Sequence, residues 1–92
     1  MKKLNSVGRK IAYWRNKKEW SQEKLATQLQ LADWPLSSDI VEKIESCKRR
    51  VSEIDLLYLT MILEVQFQDF FTESRLAEAK AGCERLRNFT GR

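Results

Sequence analysis

The chain has 92 residues, 33 % of them charged and 42 % apolar, with one proline, three glycines, two cysteines and no histidine. That length suits one domain with a modest core, and periodic apolar residues over most of it exclude a disordered chain and argue against an all-β barrel. The net charge of +4 is unevenly spread: Lys2, Lys3, Arg9, Lys10, Arg15, Lys17, Lys18 and Lys24 crowd the start and Lys48, Arg49 and Arg50 follow, whereas Glu53, Asp55, Glu64, Asp69 and Glu73 fill a stretch without Lys or Arg.

The first helix is expected from Asn5 or Ser6 to about Lys18, with Val7, Ile11 and Trp14 forming one apolar stripe. Arg15 falls on nearly the same face, a partly buried cation that needs a partner. The second helix runs from a Ser21 cap to Leu31 and buries Leu25, Ala26 and Leu29. Ala26 marks the close crossing of the helix that follows. Pro35 then breaks the helical pattern and restricts Trp34 to extended geometry.

The third helix spans about Ser38 to Ser46, is capped by Ser37 or Ser38, and buries Val41 and Ile44. Its spacing leaves Ser38, Asp39, Glu42 and Lys43 outward. Ser52 and Asp55 read as a capping box, with an apolar staple from Val51 to Leu56, and start a fourth helix. Leu56, Leu59, Ile62 and Leu63 mark that helix as well buried, and Val65, Phe67, Phe70 and Phe71 supply a second apolar cluster, so most of the core is expected here. Thr72 caps a last helix through about Asn88, whose Leu76, Ala79, Cys83 and Leu86 form a thin heptad-like seam. With Gly82 inside it, that seam either packs on its own domain or pairs with a second subunit.

No segment has signal-peptide or membrane-span character, so a cytoplasmic protein with no membrane partner is expected. Cys47 and Cys83 form no CxxC pair and have no histidine beside them, so neither zinc nor a disulfide framework is indicated. Without a histidine, a glycine-rich phosphate loop or a nucleophile beside a base, catalysis is not expected, nor is a cofactor. A one-sided basic surface is what neutralising nucleic-acid phosphates requires, although it is also the ordinary solvated face of a small protein.

Four pieces in order, Val7-Gly8-x-x-Ile11-x-x-x-Arg15, Ser21-Gln22-Glu23-x-Leu25-Ala26, Lys43-Ile44-Glu45-x-x-Lys48-Arg49 and Asp55-Leu56-Leu57-x-Leu59, resemble the Cro and phage-repressor type helix-turn-helix (XRE) family. The resemblance implies an all-α, compact five- or six-helix lambda-repressor-like DNA-binding domain over residues 1–71, with residues 72–92 as a C-terminal helix. It also implies that the second motif helix enters the major groove while the first crosses the backbone. By position, Gln22 and Ser37 or Ser38 would meet phosphates. Ser38, Asp39, Glu42 and Lys43 would read bases, with Lys43 donating to guanine and a carboxylate accepting from cytosine, which favours a G·C-containing half-site. Lys48 and Arg49, assisted by Arg50, would bind phosphate, and Arg15 with Glu45 would bridge the first and third helices as a structural pair.

Two departures stand out. Gln30, Cys47 and Glu64 replace glycines at positions that often need positive φ, so those turns either differ or are strained. The turn between the motif helices is also longer, as in one branch of the family, and Trp34 in it either covers the core edge or projects toward the sugar-phosphate backbone. The expected function is a sequence-specific regulator of double-stranded DNA, acting by repression as a homodimer. The competing expectation is a protein-interaction or antitoxin-like module on the same fold, favoured by the carboxylates of Asp39 and Glu42.

Overall fold

In a computed structural model, residues 2–89 are described, with the side chains of residues 88 and 89 excepted. Each α-helix begins where a short polar side chain can occupy a free amide. Asn5 Oδ1 accepts from the N–H groups of Val7 and Gly8 and starts α1 (Gly8–Lys17). Ser21 caps α2 (Gln22–Leu31), Ser37 caps α3 (Ser38–Glu45), and Thr72 accepts from the Arg75 N–H to open α5 (Glu73–Phe89). Helix α4 (Glu53–Leu63) has both halves of the capping box, Ser52 Oγ accepting from Asp55 N–H and Asp55 Oδ2 from Ser52 N–H. A 3-10 turn, Phe67–Phe70, separates α4 from α5, and no strand occurs among the described residues.

The helices also stop in one way. Glu19, Asp33, Cys47 and Glu64 have φ between 59° and 64°, and in each case the following residue donates its N–H back into the last turn. Those bonds are Trp20 to Arg15, Trp34 to Leu29, Lys48 to Lys43 and Val65 to Thr60. This is the Schellman ending, in which a left-handed residue satisfies carbonyls that the helix leaves free. None of the four is glycine, although a left-handed residue with a Cβ costs about 1–2 kcal/mol. Two of the positions expected to need glycine, Cys47 and Glu64, do take this conformation. Gln30 does not, because α2 runs past it and the left-handed residue falls at Asp33.

Val7 and Ile11 from α1, Leu25, Ala26 and Leu29 from α2, Leu36 from the turn, Val41 and Ile44 from α3, Leu59 and Leu63 from α4, and Phe70 form one core. Its weight therefore lies in the first three helices, and not in the segment from Leu56 to Phe71 as the sequence suggested. The reason is that α4 is apolar all round but meets the core on one face. Asp55, Leu59 and Leu63 are buried and Leu56 and Ile62 half-buried, whereas Ile54, Leu57 and Met61 form a stripe open to solvent, with Met61 71 % exposed. Phe67 is likewise exposed and lines an apolar groove with Phe71, Leu76 and Ala79.

Helix α5 leaves this body. Beyond the half-buried Leu76, its seam residues Ala79, Cys83 and Leu86 are exposed. The long extents of 50 × 30 × 22 Å and the radius of gyration of 15.4 Å reflect this projection, since a chain of this length packed as one globule would have roughly 12 Å. Both cysteines are free thiols, Cys47 buried and Cys83 exposed.

Candidate nucleic-acid interface

The site is built on the crossing of α1 and α3, and that crossing depends on Gly8. A Cβ at position 8 would lie 2.2 Å from the Ile44 carbonyl oxygen and 3.0 Å from that of Glu45, so only glycine lets α1 lie so close to the end of α3. Asn5 reinforces the contact, its Nδ2 donating to the carbonyls of Ile44 at 3.0 Å and Arg49 at 2.8 Å. The Leu4 N–H donates to the Cys47 carbonyl. The chain before α1 is thus sewn to the end of α3 and to the basic loop after it.

A charged network fixes the other end of the same crossing. Arg15 Nε and Nη2 donate to Glu45 Oε2 at 2.6 Å and Oε1 at 2.9 Å, a two-pronged pair whose side chains are only 12 % and 7 % exposed. Arg15 Nη1 also donates to the Trp20 carbonyl, closing the turn between α1 and α2. Its hydrogen bonds to Glu45 raise the Arg15 pKa, burial opposes them, and the charge attraction adds to the rise. Arginine is charged throughout the accessible pH range, so the Arg15 side of this strut keeps its charge.

Gln22 Nε2 donates to Glu45 Oε1 at 2.9 Å, so this residue, expected on a phosphate, is first a member of the strut. Its amide nitrogen has a second hydrogen left for an outside acceptor. One end of the side chain is held and the other is available, a pre-organised donor at the start of α2.

The turn from α2 to α3 is ordered by Trp34. Its indole Nε1 donates to Asp55 Oδ1 at 2.7 Å, and its ring stacks on Tyr58 with centroids 4.7 Å apart and planes within 8°. Trp34 therefore covers the core edge and ties the long turn to α4. Asp55 serves both the cap of α4 and this indole, which explains a buried carboxylate with no cation beside it.

On this support, α3 turns one polar face outward. At roughly 100° per residue, positions 38, 39, 42 and 43 fall within about 140° of the helix circumference, opposite Val41 and Ile44. Asp39, Glu42 and Lys43 are exposed and Ser38 half-buried, whereas Val41 and Ile44 are buried. Ser37 Oγ accepts from the Ile40 N–H at 3.3 Å, leaving other amides of the first turn of α3 free. Lys48, Arg49 and Arg50 are exposed just past the last turn. All the residues singled out from the sequence thus lie on α3, at its two ends, or at the start of α2. Asn5 and Asp55, which hold that face in place, were not singled out as site residues; Asn5 reads locally as a helix start and Asp55 as a cap, and neither pattern announces the contact each makes across the fold.

No family model matches this sequence, and no curated protein matches it. Among solved structures, the chain is similar to the restriction-modification controller protein C.AhdI from Aeromonas hydrophila. That match has a TM-score of 0.60 at 28 % identity and covers 74 % of this chain and 91 % of the other. The fold is the all-helical helix-turn-helix fold, with α2 and α3 as its two motif helices.

Proposed function

We propose that the protein is a sequence-specific regulator of transcription that binds double-stranded DNA, in the manner of the Cro/C1-type helix-turn-helix (XRE) family with an extended turn. Helix α3 lies in the major groove and the start of α2 and the 48–50 loop lie on phosphates. The observation that carries this reading is the outward face of α3. Ser38, Asp39, Glu42 and Lys43 stand together on a helix locked from behind by Gly8, Arg15 and Glu45, with Lys48, Arg49 and Arg50 beside it. Similarity to a restriction-modification controller protein supports a regulatory role.

Lys43 donates to guanine, and Asp39 or Glu42 accepts from cytosine N4. Near phosphates these carboxylates repel any site that does not offer such a donor, so they weaken binding overall and narrow its choice. Gln22, with one amide hydrogen on Glu45, gives the other to a phosphate, and Ser37 and Ser38 meet a second one at the start of α3.

The regulator works as a homodimer on a two-fold operator, with half-sites about one helical turn apart. The exposed stripe of Ile54, Leu57 and Met61 and the bare seam of α5 are the surfaces available for pairing. It acts by repression through promoter occupancy, without a cofactor. No helix among the described residues is long and apolar enough to cross a membrane, in keeping with a cytoplasmic site of action.

The same apolar surfaces favour a second reading, in which they bind a different protein and DNA binding is weak or absent, as in an antitoxin-like module. In vitro selection from random duplexes at near-physiological salt separates the two. A selected palindrome is expected; a folded protein that enriches no sequence would overturn the regulator reading.

A further inference from the structure

Away from the outward face of α3, the structure holds a second basic feature. Lys3 from the segment before α1, Arg9 and Lys10 from the first turn of α1, and Arg75 from the first turn of α5 line a cavity of about 250 Å³, together with Ser6 and Thr72. No carboxylate lines it. Lys10 lies 5.3 Å from the Tyr13 ring, but the side chains of Lys3, Arg9 and Arg75 have no hydrogen-bond or ion-pair partner among the described residues. Four cations brought together from three segments repel one another unless an anion sits among them.

We propose that this cavity binds a phosphoryl oxyanion. Ser6 lies just before α1 and Thr72 caps α5, so the starts of two helices, ends that favour negative charge, line the same space. The buried Cys47 and the half-buried Phe71 form an apolar wall, which strengthens attraction between the cations and an anion placed against it. The volume lies below the ~300 Å³ at which pockets for drug-sized ligands begin. It suits a phosphate or diphosphate group and not an entire nucleotide. The guanidinium groups of Arg9 and Arg75 supply planar donor forks for paired oxygens.

Two sources share this chemistry: a free phosphate or diphosphate ion, and the phosphodiester of a DNA strand. The second rests on the regulator reading above and has a structural motive. Leu4 bonds to Cys47 and Asn5 to Arg49, so the segment bearing Lys3 lies against the basic loop of residues 48–50.

The test uses the full 92-residue chain and the double variant Arg9→Gln/Arg75→Gln, whose substituted side chains are exposed and whose unfolding midpoint should match the parent. In the first arm, pyrophosphate is added at constant ionic strength and amide resonances are followed. Saturable shifts at Ser6, Arg9, Thr72 and Arg75 are expected, with affinity reduced about tenfold in the double variant. In the second arm, the salt dependence of duplex binding is measured. A slope reduced by about 0.9 for each lost phosphate contact identifies the DNA strand as the source. An unchanged slope together with the pyrophosphate shifts identifies the free ion. If pyrophosphate produces no saturable shift at these amides and the slope is also unchanged, the proposal is overturned. The first arm requires no DNA binding, so its outcome stands apart from that of the regulator reading.

Discussion

The first three helices and the last two are built to opposite specifications. In α1–α3 every inward polar group has a partner. Glu45 is shared by Arg15 and Gln22, Asn5 occupies two carbonyls and two amides, and Gly8 removes the side chain that would separate the helices. The outward face of α3 is polar, and the exposed apolar side chains of α1 and α2, Tyr13 and Leu31, stand singly. In α4 and α5 the caps are as good, but Ile54, Leu57, Met61 and Leu86 remain exposed. A surface finished with charges suits water or phosphate, whereas a contiguous apolar stripe on a folded protein is the kind of surface that marks a site of contact with another protein. The two regions share one core through Leu59, Leu63 and Phe70, and differ in that α4 also carries a continuous apolar stripe, Ile54, Leu57 and Met61, open to solvent.

Substitutions can break that contrast in order of severity. Glu45→Ala strands the Arg15 cation and frees Gln22 together, and should cost about 3–5 kcal/mol in urea unfolding, enough to leave the domain loosened or unfolded. Gly8→Ala forces a methyl group against the Ile44 carbonyl, with a cost of about 3 kcal/mol expected from overpacking against backbone that cannot move aside. Asp55→Ala removes half of the α4 capping box and leaves the Trp34 indole N–H without its acceptor; a loss of about 2 kcal/mol is expected, with the Trp34 fluorescence changed. Met61→Glu should alter the monomer's stability by less than about 0.5 kcal/mol. Sedimentation should nevertheless show self-association abolished, since the new charge falls in the open apolar stripe. A Met61 variant that unfolds the monomer would show that the open stripe of α4, and not only its Leu59 and Leu63 face, carries the fold.

The starts of the helices were legible because a side chain does the capping: Ser21, Ser52 and Thr72 can be read directly, Asn5 and Ser6 were the two candidates for α1, and Ser37 and Ser38 those for α3. The ends were less so. Four left-handed residues with side chains replace the glycines that would have announced them, and Asp33 and Glu19 gave no signal of their own. Arg15 and Glu45 could be paired only through the family resemblance, because residues 30 positions apart in sequence meet through packing and not through helical spacing. The core was misjudged for a related reason. Apolar content places a residue in a helix but does not say whether a neighbour lies on each side of it, and α4 has a neighbour on one side only.

In the proposed complex, α3 reads bases while the loop after it holds phosphate. The most direct measurement compares Lys43→Ala with Lys48→Ala on a selected operator and on a scrambled duplex, across a range of salt. Lys43→Ala should relax the preference at its base pair by about 1–3 kcal/mol, whereas Lys48→Ala should weaken both duplexes alike and lower the salt slope by about one. If both variants retain selective binding with unchanged slopes, α3 does not read the groove, and the claim fails.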